Sequence, residues 1–232
     1  MTERQIVLPG IASLAFIGGY FGLTIVRSAG WIPGSWSFIP VVETAWLNFL
    51  VVVAAIIWMR IQEIPLSHVG LGTFRPSRSL FMWVVGTMAI DSLAIGIATP
   101  VLTSAFGEAQ QVARFDDVPG NLPLLLILMP FTWLIGAFGE EFFFRGFLLT
   151  TIAELLGASR AAWIAAIVSQ AIAFGLIHSY QGPAQAISIG IGGAVYGTAF
   201  LLARRNVWPL VLAHGLNDTL GFIFLYSGVI ER

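Results

Sequence analysis

Residues 139–147 read GEEFFFRGF. Two adjacent carboxylates, Glu140 and Glu141, stand ahead of Arg145 in an otherwise apolar stretch. An ionised side chain at the centre of a membrane helix costs about 3 kcal/mol or more, which marks these residues as functional candidates. On a helix Glu141 and Arg145 are i,i+4 neighbours that can pair directly. Glu140 projects about 100° away and lacks that partner. A structural ion pair stitching two helices is the plain reading, since buried charges are often merely paired. Such a pair needs one acid, however, and here there are two, so one glutamate can be held by arginine while the other faces a cavity.

Two further polar clusters lie in apolar segments. FGLIH places Phe174 and His178 on one helical face, and HGLND places His214 and Asp218 one turn apart with Asn217 close by. Taken singly, each is compatible with a structural role. The second can orient a histidine, bind a metal or present donors to an oxyanion. Together with the glutamates the clusters describe hydrolytic chemistry. A glutamate can take a proton from water as general base. A histidine can position that water, or hold a metal that lowers its pKa. A histidine and an amide can steady the oxyanion that forms. The third histidine, His68, falls in a polar loop and reads as solvated. Asp91, in AIDSLAIG, lies mid-segment and suits a cap or an interhelical hydrogen bond, while Glu43 lies near a segment end and can reach the interface.

The elements that must carry these residues follow from composition. The chain has 232 residues, 57% hydrophobic and 10% charged, too few charges to cover a soluble domain. The net charge of −1 offers no basic face for nucleic acid. All eleven cationic side chains are arginine, and the absence of cysteine excludes disulfides, thiol catalysis and thiolate metal sites. About 20 apolar residues cross a hydrocarbon core. Spans are expected near 8–26, 39–59, 80–105, 122–149, 160–178, 184–203 and 207–227. The fourth can run on to Leu156, and a break at Pro209 would add an eighth. The first reads as an uncleaved span, because no clear cleavage site follows it. Open strands cannot cross lipid. The expected fold is therefore an all-α membrane protein, a polytopic bundle of seven or eight helices with a polar intramembrane cavity, forming one domain over 1–232. Small residues at four-residue spacing, Gly18/Gly22 and Gly193/Gly197, read as close helix packing.

With an inside N-terminus and seven spans, inside segments hold Arg4, Arg60, Arg75, Arg78, Arg160, Arg204 and Arg205, and outside segments hold Arg27, Arg114 and Arg232. The positive-inside rule favours this topology. If the chain turns at Gly157, Glu140 and His178 sit about 25 and 32 Å from that turn on antiparallel helices and can meet. His214 lies about 13 Å past the turn at Arg205. Tilt, or a break at Gly182-Pro183 or Pro209, is needed to bring it level.

The three clusters resemble the motifs of the CPBP family, the Abi or type II CAAX prenyl protease-like intramembrane proteases. EEFFFR resembles E-E-x-x-x-R, FGLIH resembles F-x-x-x-H, and HGLND resembles H-x-x-x-B, where B is Asn or Asp. Their order and spacing also fit, and the resemblance covers a core of roughly 120–225. It implies an intramembrane endopeptidase of the prokaryotic cytoplasmic membrane, acting on a membrane-associated peptide or protein, lipidated or not. It also implies that Glu140 and His178 activate the water. His214 and Asp218 would occupy the oxyanion side, and Glu141 and Arg145 would support the site. Asp218 departs from the Asn of the best-known prenyl proteases. An ionised Asp cannot donate to an oxyanion, which leaves it to orient His214, to be protonated, or to cede donation to Asn217. A divalent metal such as zinc on Glu140, His178, His214 and Asp218, or no metal at all, are both open, and the H-E-x-x-H zinc signature is absent. The family expectation of a site open to the cytosol conflicts with the arginine count, which puts Glu140 and His178 toward the outer half. An eighth helix or a deep central cavity would reconcile the two.

Two other classes compete. One is a non-catalytic scaffold or bacteriocin-immunity protein that retains the motifs. The other is a proton- or cation-coupled transporter using the same charges, for which matching broken half-helices would be expected and are not seen.

Overall fold

The computed structural model describes residues 40–107, 115 and 117–229. Within them the chain forms six helices: α1 Pro40–Ile61, α2 Arg78–Phe106, α3 Leu122–Leu155, α4 Arg160–Ile177, α5 Pro183–Leu202 and α6 Trp208–Ser227. No strand occurs among the described residues. Six of the expected spans each coincide with one of these helices; the first, 8–26, lies outside the described residues, as do Gly18 and Gly22. By length and composition α2, α3, α4 and α5 can each cross a membrane. The described residues thus give an all-helical membrane protein with six helices rather than seven or eight. An eighth span from a break at Pro209 does not form. That proline lies in the first turn of α6, where its missing N–H costs nothing.

Local chemistry sets the boundaries. Ser77, Asn121 and Ser159 cap α2, α3 and α4, each side chain accepting from a backbone N–H three residues on. The turn between α3 and α4 uses Gly157 at φ +86°, a conformation that suits glycine. Pro183 opens α5, and Gly228 ends α6 in the left-handed region.

Helix α3 is the central element. Its middle, Thr132–Leu149, is wound as a π-helix, and every residue from Glu141 to Thr150 is buried. A helix apolar on all sides belongs inside a bundle, and α3 packs against α1, α4 and α6. Helix α5 packs against α4 and α2, and α2 also packs against α6, so α3, α4, α5, α2 and α6 close a ring with α1 outside α3. Close approach of α4 and α5 depends on small residues. A Cβ on Gly193 would stand 3.2 Å from the Cα of Ala171, and Gln170 Nε2 donates to the Gly193 carbonyl at 2.8 Å.

The described arginines other than Arg145 lie at one end of this ring. Arg60 ends α1, Arg75 and Arg78 flank the start of α2, Arg160 opens α4, and Arg204 and Arg205 follow α5. Arg205 is tied there, donating to the His68 carbonyl and stacking over Trp163 at 5.0 Å. His68, expected to be solvated, is instead partly buried and paired with Glu154 at 2.9 Å.

Candidate active site

The π-wound middle of α3 carries the first cluster. Glu141 is fully buried, and its Oε1 accepts from Arg145 Nη1 at 2.8 Å. The pair is one turn apart on the same helix, as i,i+4 spacing allows. The same Oε1 lies 2.9 Å from His214 Nδ1 on α6. A carboxylate accepts only, so Nδ1 carries the hydrogen. The other ring nitrogen, Nε2, lies 3.5 Å from Asp218 Oδ2. With a carboxylate at each nitrogen the imidazole is held in one orientation. The Asp218 contact is at the loose limit of a hydrogen bond, which leaves Nε2 the more available side.

His214 reaches the level of Glu141 because the turn before α6 is recessed into the bundle. Val207, just before α6, is buried and sits against Gly146, where a Cβ would stand 3.5 Å from Val207 Cγ1 and 2.6 Å from the Val69 carbonyl. Gly146 is nine residues before the end of α3, about 13 Å deep. From that shared level His214 is seven residues away along α6 and Glu141 five along α3. The expected tilt or break is therefore replaced by a deep turn. Trp133 fixes the same antiparallel register further along: its ring lies where a Cβ on Gly215 would approach to 2.6 Å, and its Nε1 donates to Thr219 Oγ1 at 3.1 Å. Asp218 faces Gly136, with Oδ2 3.6 Å from the Cβ position there.

The second cluster joins through its phenylalanine. Arg145 lies over the Phe174 ring at 4.3 Å and over the Tyr196 ring at 5.3 Å, cation–π distances that favour a desolvated guanidinium. Phe174 meets the His178 ring edge-on at 4.8 Å. His178 caps the end of α4, and its Nδ1 lies 2.8 Å from the Phe174 carbonyl. A carbonyl only accepts, so Nδ1 carries a hydrogen. Glu140, beside the buried Glu141, is half-buried and makes no hydrogen bond or ion pair with the described residues.

Direct contacts thus link Glu141, Arg145, His214 and Asp218, while His178 is linked through Phe174. Among the described residues no hydrogen bond or ion pair joins Glu140 to either histidine. Counted along α3, Glu141 is fourteen residues from Leu155 and nineteen from Leu122, so the cluster lies deep within the bundle. Among the described residues no three His, Asp or Glu side chains gather as a metal-ligand set. His214 Nδ1 is engaged by Glu141, and its Nε2 faces Asp218, another of the candidate ligands.

Two further residues join this network, Asp91, which the sequence singled out only for an interhelical hydrogen bond, and Tyr196, which it did not single out. Tyr196 of α5 lies edge-on to His214 at 5.9 Å and accepts from Asn217 Nδ2 at 3.3 Å. Asp91 of α2 accepts from the same amide at 3.5 Å. Asp91 stood out as a mid-span charge, but nothing in its spacing tied it to the motifs. Tyr196 carried no signal, since a lone tyrosine in a membrane helix is ordinary.

Residues 122–220 match the family model described as Rce1-like, the type II CAAX prenyl endopeptidase Rce1-like family. No curated protein and no solved structure matches the chain significantly.

Proposed function

Because residues 122–220 match the Rce1-like, type II CAAX prenyl endopeptidase family model, we propose that the chain is an intramembrane endopeptidase in which Glu140 activates the attacking water. The family match supports protease activity on membrane-associated protein substrates; the assignment of roles rests on the local contacts. The observation that carries it is the division of labour between adjacent glutamates. Glu141 is buried and committed to Arg145 and His214, whereas Glu140 is half-buried and makes no hydrogen bond or ion pair with the described residues.

In this reading a water lies between Glu140 and the imidazole of His178. Glu140 takes one of its protons as the water oxygen bonds to the peptide carbonyl carbon. The electron pair of the C=O bond moves to the carbonyl oxygen, on the side of His214. Glu140 then returns the proton to the leaving nitrogen as the C–N bond breaks, which restores the carbonyl. Arg145 and Glu141 take no proton; they fix the imidazole of His214. No step is routed through a metal.

Purified protein in lipid nanodiscs, given peptides drawn from membrane-anchored proteins, should cleave one internal bond, and Glu140→Gln should abolish cleavage while the protein stays folded. Full cleavage by folded Glu140→Gln would overturn this mechanism.

A further inference from the structure

The network around Asn217 has a consequence for the oxyanion. Asn217 points its amide nitrogen at Asp91 Oδ2, 3.5 Å away, and at the Tyr196 hydroxyl oxygen, 3.3 Å away. A carboxylate accepts only, so the group facing Asp91 is the NH2, which points toward both Asp91 and Tyr196. The Asn217 donors are thus turned toward Asp91 and Tyr196 rather than toward a substrate. Asp218, one residue on, accepts while ionised and cannot donate. The Tyr196 oxygen, by contrast, serves as acceptor for Asn217 and keeps its own hydrogen to give. That hydroxyl is held against the turn of α6 that carries His214 and Asp218, and the tyrosine ring lies edge-on to His214 at 5.9 Å.

Asp91 is an unusual partner in this network. It is 7% exposed, lies on α2 outside the family-matched segment, and its Oδ1 has no hydrogen-bond partner among the described residues. It is fitted closely against α5, where a Cβ on Gly192 would stand 2.8 Å from Oδ1. A buried carboxylate with one bare oxygen is costly, and what it does here is hold the amide that holds Tyr196.

We propose that Tyr196 donates the hydrogen bond to the substrate's carbonyl oxygen as the oxyanion forms, and that Asp91, acting through Asn217, is the positioning residue for that hydroxyl. The inference rests on the endopeptidase reading. It assigns to α2 and α5 a part of the site that the three motifs do not contain. No covalent step passes through Tyr196; its O–H shortens its contact to the oxygen as negative charge develops there.

The test is steady-state peptide hydrolysis by the full chain in nanodiscs, with thermal unfolding measured in parallel. Tyr196→Phe should lower kcat by about 10²–10³-fold, the usual loss for one oxyanion donor, with KM and the unfolding temperature little changed. Asp91→Asn should lower kcat about tenfold, the smaller share of such a loss expected for a group that only orients the donor. In the Tyr196→Phe background Asp91→Asn should lower kcat no further, because its effect passes through the hydroxyl. A folded Tyr196→Phe with wild-type kcat overturns the donor role. An Asp91→Asn loss of equal size in both backgrounds overturns the positioning role. Both results leave the endopeptidase reading standing if Glu140→Gln is inactive, whereas hydrolysis that survives Glu140→Gln, or none by the wild type, overturns that reading and this role together.

Discussion

One oxygen of Glu141 accepts from two directions, from Arg145 at 2.8 Å on its own helix and from His214 at 2.9 Å on α6. This joins the first and third polar clusters through a single buried atom. It also makes Glu141 the anion that neutralises the interior end of Arg145. Buried charges of this kind contribute little as pairs but are costly to break.

Glu141→Ala should therefore destabilise the protein by about 3–5 kcal/mol, the usual cost of leaving one buried charge unpaired. Arg145→Ala should cost a similar amount by stranding Glu141. Thermal unfolding in nanodiscs checks both, and an unchanged melting temperature for Glu141→Ala would show that the carboxylate does not hold Arg145.

Glu140→Gln should behave in the opposite way. The side chain makes no hydrogen bond or ion pair with the described residues, so stability should change by no more than about 0.5 kcal/mol. Hydrolysis should fall by at least about 10²-fold, the lower bound for removing a general base. A pair of measurements on one variant, melting and kcat, separates this role from that of its neighbour.

Chelation addresses the nucleophile directly. The described side chains do not assemble a three-ligand site, and the mechanism above uses a carboxylate as base. Prolonged treatment with a strong chelator should leave kcat unchanged. Loss of activity on chelation and recovery with one added divalent metal would replace the Glu140 mechanism with a metal-bound water.

The register of α3 against α6 rests on the Trp133 ring filling the space beside Gly215. Gly215→Ala would put a methyl 2.6 Å from that ring. Overpacking of this kind costs about 1–3 kcal/mol, and here it should also lower kcat by displacing His214, one residue away. Trp133→Ala in the same chain should relieve part of the loss, so that the double variant melts higher than the sum of the two single changes requires.

Orientation can be measured because the chain has no cysteine of its own. Ser77 lies at the arginine-bearing end and Asp117 near the start of α3, at the other. Under the positive-inside rule the first end faces the cytosol. In intact cells a membrane-impermeant thiol reagent should label Asp117→Cys and spare Ser77→Cys; the reverse pattern would invert the topology.

The sequence by itself determined the class and most helix positions, and it singled out candidate residues for the chemistry. Apolar runs of about 20 residues have one way to satisfy their backbone in lipid, so α2, α4 and α5 were legible to within a residue or two. The same logic made every ionised residue in those runs conspicuous. The i,i+4 pairing of Glu141 with Arg145 was equally readable, because it is set within one helix.

Contacts between helices were not readable, because they depend on depth, and depth depends on where a turn sits. Spacing alone put His214 too shallow to reach the glutamates. Only the packing of Val207 on Gly146 sinks the turn before α6 and brings the imidazole onto Glu141. Asp91 and Tyr196 lie 126 and 21 residues from Asn217 in sequence, and no periodicity links them. Their meeting follows from the ring order of α2, α5 and α6, which is a property of side-chain fit across three helices and not of any one segment.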